Sequence, residues 1–184
     1  YTHGAVADEA ERPAYAAWIR RTFGPALTTL GVDPRPGDSD DTLSLRGTLV
    51  GLLGGPAGDD AVRARARALA IAYLDRPGSL PPTLIAPVLA VAASGGDAAL
   101  YDRLLERLRE AAETPDAYYR YFNALTAFRD PALVERTLAF ALSDAVRSQD
   151  APALIAPLLA GPRGDLAWAF VSFKGAPPTE KLGV

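Results

Sequence analysis

Apolar residues recur along this chain at the three-to-four-residue spacing of an amphipathic helix, and no stretch alternates well as a strand. The clearest case is DAALYDRLLERLREAAE (97–113). There Leu100, Leu104, Leu105 and Leu108 share one face, and Arg and Glu residues occupy the other. A first helix is expected over about 8–30, with Tyr15, Trp18, Ile19 and Phe23 on one face and a kink or break at Gly24-Pro25. GVDPRPGDSDD (31–41) reads as a loop by its Gly, Pro and Asp content. Asp40 or Asp41 is expected to cap the helix that follows, which ends at the Gly54-Gly55 pair.

Six further segments continue the pattern. DDAVRARARALAIAYLDRPG (59–78) opens on acids that suit a helix N-terminus and stops before Arg76-Pro77-Gly78. LPPTLIAPVLAVAASGG (80–96) opens on proline and closes on glycine. After 97–113 comes TPDAYYRYFNALTAFRD (114–130), with Thr114 as cap and Pro115 in the first helical position. DPALVERTLAFALSD (130–144), SQDAPALIAPLLAGPRG (148–164) and GDLAWAFVSF (164–173) complete the set. About nine helices joined by short turns fall into pairs, 40–75, 81–113, 115–143 and 148 onward, whose starts lie roughly 34 residues apart, the mark of a solenoid of HEAT or armadillo kind. The predicted fold is all-α, an α-α superhelix of helix pairs.

PTLIAPVLA (82–90) and PALIAPLLA (152–160) agree at seven of nine positions. Each has a proline in its first turn and a second, Pro87 or Pro157, five residues on, where a bend is expected. They read as equivalent buried scaffold helices, two repeats apart, that bind nothing themselves.

Composition narrows the function. The chain has 184 residues, a net charge of −3 and a pI near 5.2, so no basic field points to nucleic acid or an anionic membrane. No apolar run reaches membrane-spanning length. Cysteine is absent, which excludes thiolate nucleophiles and Cys-bound zinc. The single histidine, His3, cannot build a zinc site or a catalytic triad alone. Methionine is also absent and the chain opens YTHGAVADEA, which reads as part of a longer polypeptide. Of the charged residues 17 are Arg and two are Lys, and both lysines, Lys174 and Lys181, fall in the last 11 residues. A helical unit over 1–171 is therefore expected, with an atypical tail over 172–184 in which a discontinuity near Val171–Ser172 is possible.

No phosphate loop or dinucleotide fingerprint is present. The acidic clusters read as helix caps, and Arg63, Arg65 and Arg67 spread around a helix as a solvated face. The richest polar-aromatic cluster is YYRYFNALTAFRD (118–130), which reads first as a helix with Phe122, Leu125 and Phe128 in the core and the tyrosines at its edge, and alternatively as a ligand or peptide contact, which Tyr and Arg together suit.

ALSDAVRSQDAPALIAPLLAGPRGDLAWAFV (141–171) resembles the C-terminal helical domain of the aminopeptidase N family of zinc metallopeptidases, shared with the endoplasmic-reticulum aminopeptidases. Arg147, Gln149, Asp150, Gly164, Trp168 and Phe170 match the family pattern and are expected to be structural. DTLSLRGTLVGLLGG (41–55) and residues 95–138 add support. The resemblance implies a non-catalytic module that caps the active-site chamber of a catalytic domain in the same polypeptide and contacts peptide substrates. Zinc would belong to that catalytic domain, since its His-Glu-x-x-His and Gly-x-Met-Glu-Asn motifs are absent here and no cofactor is expected in this chain. The isolated chain is expected to have no peptidase activity. Arg46, Arg120, Tyr121 and Arg129 are the chamber-lining candidates. The alternative is a free-standing helical scaffold that binds another protein.

Overall fold

A computed structural model describes residues 10–174. Among these residues the chain forms nine helices and no strand: α1 (Arg12–Leu30), α2 (Asp40–Gly54), α3 (Asp60–Asp75), α4 (Pro82–Ser94), α5 (Ala98–Glu110), α6 (Pro115–Leu125), α7 (Pro131–Ala141), α8 (Ala151–Leu159) and α9 (Gly164–Lys174). His3 lies outside the described residues.

Local chemistry sets the helix starts. Asp59, Asp97 and Asp130 each accept a hydrogen bond from a backbone N–H in the first turn of α3, α5 and α7. The α2 cap is Ser39 and not Asp40 or Asp41. Ser39 Oγ accepts from the Thr42 N–H, and the two aspartates sit in the first turn, where their charge suits the positive end of the helix. Thr114 holds the cap position of α6 without a side-chain hydrogen bond. α1 runs unbroken through Gly24-Pro25. Pro25 is exposed, and without an N–H it leaves the helix one hydrogen bond short at that turn. α9 likewise continues through Val171–Ser172 to Lys174.

The helices stack in two layers. α2 packs on α4, α4 on α6 and α6 on α8; behind them α3 packs on α5 and α7 on α9. The layers are joined by α3 on α4, α5 on α6 and α7 on α8, so that, apart from α2 on α3 and α8 on α9, the main packing is offset by one helix from the sequence pairs, while α1 covers α2 at one end. The apolar core follows the stack. One cluster gathers Ile19, Val50, Leu53 and Val91, a large central one runs from Ala70 to Leu154, and a third joins Val134, Leu138, Leu158 and Ala167. Buried side chains of α5 and α7 meet as well: Thr137 Oγ1 donates to the Tyr101 hydroxyl across 3.3 Å.

Close approach of α2 to α4 depends on two glycines. A Cβ on Gly54 would lie 2.4 Å from Val91 Cγ1, and one on Gly47 would lie 3.2 Å from Pro87. The end helices are covered on one side only, which exposes two tryptophans that the periodicity places on apolar faces. Trp18 is 44% exposed and makes ring contacts with Tyr15 and Phe23; Trp168 is 65% exposed.

Candidate functional site

α4 and α8 carry the repeated nonapeptides and occupy equivalent places on either side of α6. They are buried on one face only. Leu84, Ile85, Val88 and Leu89 point into the core from α4, as Leu154 and Leu158 do from α8. The opposite faces, with Ala86 and Ala90 on α4 and Ala153, Ala156 and Pro157 on α8, are exposed. Pro87 and Pro157 line a common groove of about 280 Å³, whose floor includes Gly51, Ala90 and Ser94. The buried-scaffold expectation therefore holds for one side of these helices and fails for the other.

Prolines inside helices have a chemical consequence here. Neither Pro87 nor Pro157 has an N–H, so the carbonyls of Thr83 and Ala153 lose their helical donors.

Arginines gather at one end of the groove. Arg129 and Arg163 line it directly, and Arg163 Nε donates to the Arg129 carbonyl across 3.4 Å. Arg63 lies close by, fixed through Nε to the Gly54 carbonyl at 2.7 Å and through Nη2 to that of Gly55 at 3.2 Å. Arg129 is exposed as a residue, yet its guanidinium is partly stripped of water. That desolvation, then the charges of Arg63 and Arg12, hold its pKa below the ordinary guanidinium value. Among the described residues no carboxylate forms an ion pair with Arg12, Arg63, Arg129 or Arg163. Like charges gathered without a counterion suit an anionic ligand.

The four chamber candidates fall in three places. Arg129 lies on the groove. Arg120 and Tyr121 line a separate cleft at the N-terminal end of α6, together with Tyr73. Arg46 is 0% exposed, and its guanidinium donates to the carbonyls of Leu30 and Gly31 and to Asp38 Oδ2 at 2.8, 2.6 and 2.5 Å. It closes the α1–α2 loop and reaches neither opening. The three arginines of RARAR are each engaged: Arg63 as above, Arg65 with Asp33 and Arg67 with Asp97.

Of the six family-pattern residues, Arg147, Asp150, Gly164 and Phe170 make close contacts within the fold. Arg147 donates from Nε to Asp150 Oδ2 at 2.8 Å and from Nη2 to the Tyr119 hydroxyl at 2.8 Å, and that hydroxyl donates to Asp150 Oδ1 at 3.1 Å. This triangle ties α6 to the first turn of α8. Gly164 has no room for a Cβ, which would fall 2.2 Å from the Leu159 carbonyl oxygen. Phe170 packs against the third apolar cluster, while Gln149 and Trp168 face solvent.

The sequence matches the ERAP1-like C-terminal domain family over residues 1–173. The chain belongs to that family. It is 33% identical over 150 residues to aminopeptidase M1-B of Oryza sativa subsp. japonica, covering 79% of this chain and 17% of that protein. It is 32% identical over 130 residues to aminopeptidase M1 of Arabidopsis thaliana, covering 68% of this chain and 15% of that protein. The chain thus spans less than a fifth of the length of these relatives.

Among the described residues no three His, Cys, Asp or Glu side chains gather as metal ligands. No described helix is long and apolar enough to cross a membrane.

Sequence reasoning missed the groove. Its signal was the second proline held in register in both nonapeptides, with small residues around it. Arg63 and Arg163 were missed as groove neighbours because nothing local in the sequence brings 63, 129 and 163 together.

Proposed function

We propose that this domain caps the active-site chamber of a zinc aminopeptidase and that its groove holds the distal part of a peptide substrate. The catalytic domain and its zinc would lie elsewhere in the same polypeptide. The observation that carries this reading is the groove itself. Apart from Arg129 and Arg163 its lining is uncharged and rich in small residues, and those arginines, without carboxylate partners among the described residues, stand at one end. An extended peptide needs room for its backbone and a partner for its C-terminal carboxylate, and an arginine suits that carboxylate. Arg129 is the proposed carboxylate partner. Family membership and the likeness to two plant aminopeptidases support the assignment to this enzyme class.

The test is to fill the groove. Ala90 is exposed on its floor, so Ala90→Trp blocks it without disturbing the core. In the polypeptide that joins this domain to its catalytic domain, KM for long peptides rises while hydrolysis of an aminoacyl dye substrate is unchanged. Equal effects on both substrates contradict the reading. The scaffold alternative predicts no peptidase activity in the parent polypeptide at all.

A further inference from the structure

The second cleft, of about 730 Å³, is bounded by the α3–α4 loop and by the ends of α5 and α6. It meets α4 at Pro82 and Ile85, on a different side of that helix from the groove. Its floor is phenolic. Tyr73 and Tyr121 are 3% and 4% exposed, and their hydroxyl oxygens lie 3.4 Å apart. Arg120 donates from Nη1 to the Tyr73 hydroxyl across 3.0 Å. Two phenol protons thus share one phenol–phenol contact. Whichever tyrosine donates across it, the O–H of the other has no acceptor among the described residues. Burial, then the Tyr73 hydroxyl, push the Tyr121 pKa well above the usual phenol range, so this group stays a neutral donor.

Other groups in the cleft are also unspent. Ser79 Oγ is buried without a hydrogen-bond partner. Arg120 makes no hydrogen bond beyond the one to Tyr73 among the described residues. At the rim Arg107 is held by Glu110 Oε2 at 2.6 Å and by the Leu74 carbonyl, which leaves Glu110 Oε1 open in a half-exposed carboxylate. Leu80, Pro81 and Ile85 form an apolar wall.

Buried donors are normally satisfied, so donors left open at a cleft are positioned for an acceptor from outside. A guanidinium beside phenol hydroxyls matches a carboxylate. The Glu110 carboxylate repels a multiply charged anion and offers an acceptor to an ammonium. The apolar wall takes a hydrocarbon side chain. We propose that this cleft binds a free α-amino acid with an apolar side chain. Its carboxylate meets Arg120 and the tyrosine pair, its ammonium meets Glu110, and its side chain lies against Leu80, Pro81 and Ile85. Binding here stands apart from the peptidase reading, although a free amino acid is the product that such an enzyme releases.

Calorimetric titration of the 184-residue chain with L-leucine tests the proposal, with L-leucinamide, 4-methylpentanoate and glycine as partial ligands. L-Leucine binds saturably at one site, and each partial ligand binds at least about tenfold more weakly, since each lacks one of the three matched groups. Arg120→Met and Glu110→Gln each weaken L-leucine by about tenfold at unchanged helical circular dichroism. Glu110 is exposed, so its variant keeps the fold even where a change at Arg120 disturbs it. No saturable L-leucine binding by the folded chain overturns the proposal. Leucinamide binding as tightly as leucine, or binding unchanged by Glu110→Gln, does the same.

Discussion

Pro87 and Pro157, 70 residues apart in the chain, line one groove because α4 and α8 flank α6 in the same layer. α2 forms the next wall, and two of its glycines predict opposite outcomes. A Cβ on Gly51 meets nothing within 4 Å, whereas one on Gly54 strikes Val91 at 2.4 Å. Gly51→Ala therefore stabilises the chain by about 0.5–1 kcal/mol through lower unfolded-state entropy. Gly54→Ala destabilises it by about 1–3 kcal/mol by forcing α2 from α4. Urea unfolding followed by circular dichroism measures both, and the same sign for the two changes contradicts the packing described.

The repeat architecture was legible in the sequence because helical periodicity and Asp, Pro and Gly punctuation are local signals. Pro82, Pro115 and Pro131 mark helix starts as read, and the α-α stack follows from their spacing. What was not legible depends on contacts far apart in sequence. Arg46 sits in a polar-aliphatic helix that resembles a solvated one, and only the fold shows its guanidinium enclosed by Leu30, Gly31 and Asp38. Arg120 and Arg129 are nine residues apart on a single motif, yet the turn after α6 sends them to different openings.

Asp150 anchors the first turn of α8 through Arg147 and Tyr119. Asp150→Ala removes both hydrogen bonds at a carboxylate that is 8% exposed, and costs about 1–3 kcal/mol. Tyr119→Phe costs less, about 1 kcal/mol, because the Arg147–Asp150 pair survives it. Thermal melts of the two variants check the order.

Acid weakens the fold through Asp38 and Asp97. The backbone N–H of Arg35, and after it the Arg46 guanidinium, hold Asp38 below its ordinary value of 3.8 against an opposing push from burial. The backbone N–H of Leu100, then Arg67, do the same for Asp97. A lowered folded-state pKa adds stability that is complete above the unfolded value and disappears as pH falls through the folded one. Unfolding free energy is therefore flat above about pH 5 and falls below about pH 4. In Asp38→Asn and Asp97→Asn the acid slope is shallower, which denaturant titration at stepped pH reads directly.

The central claim is that Arg129 receives the C-terminal carboxylate of a peptide lying in the groove. The most direct measurement compares a long peptide with its C-terminal amide as substrates of the parent polypeptide, with and without Arg129→Ala. The account predicts that the substitution raises KM for the free-carboxylate peptide by about tenfold, the worth of one charged hydrogen bond, and leaves KM for the amide unchanged. An equal rise for both peptides, or none for either, contradicts it.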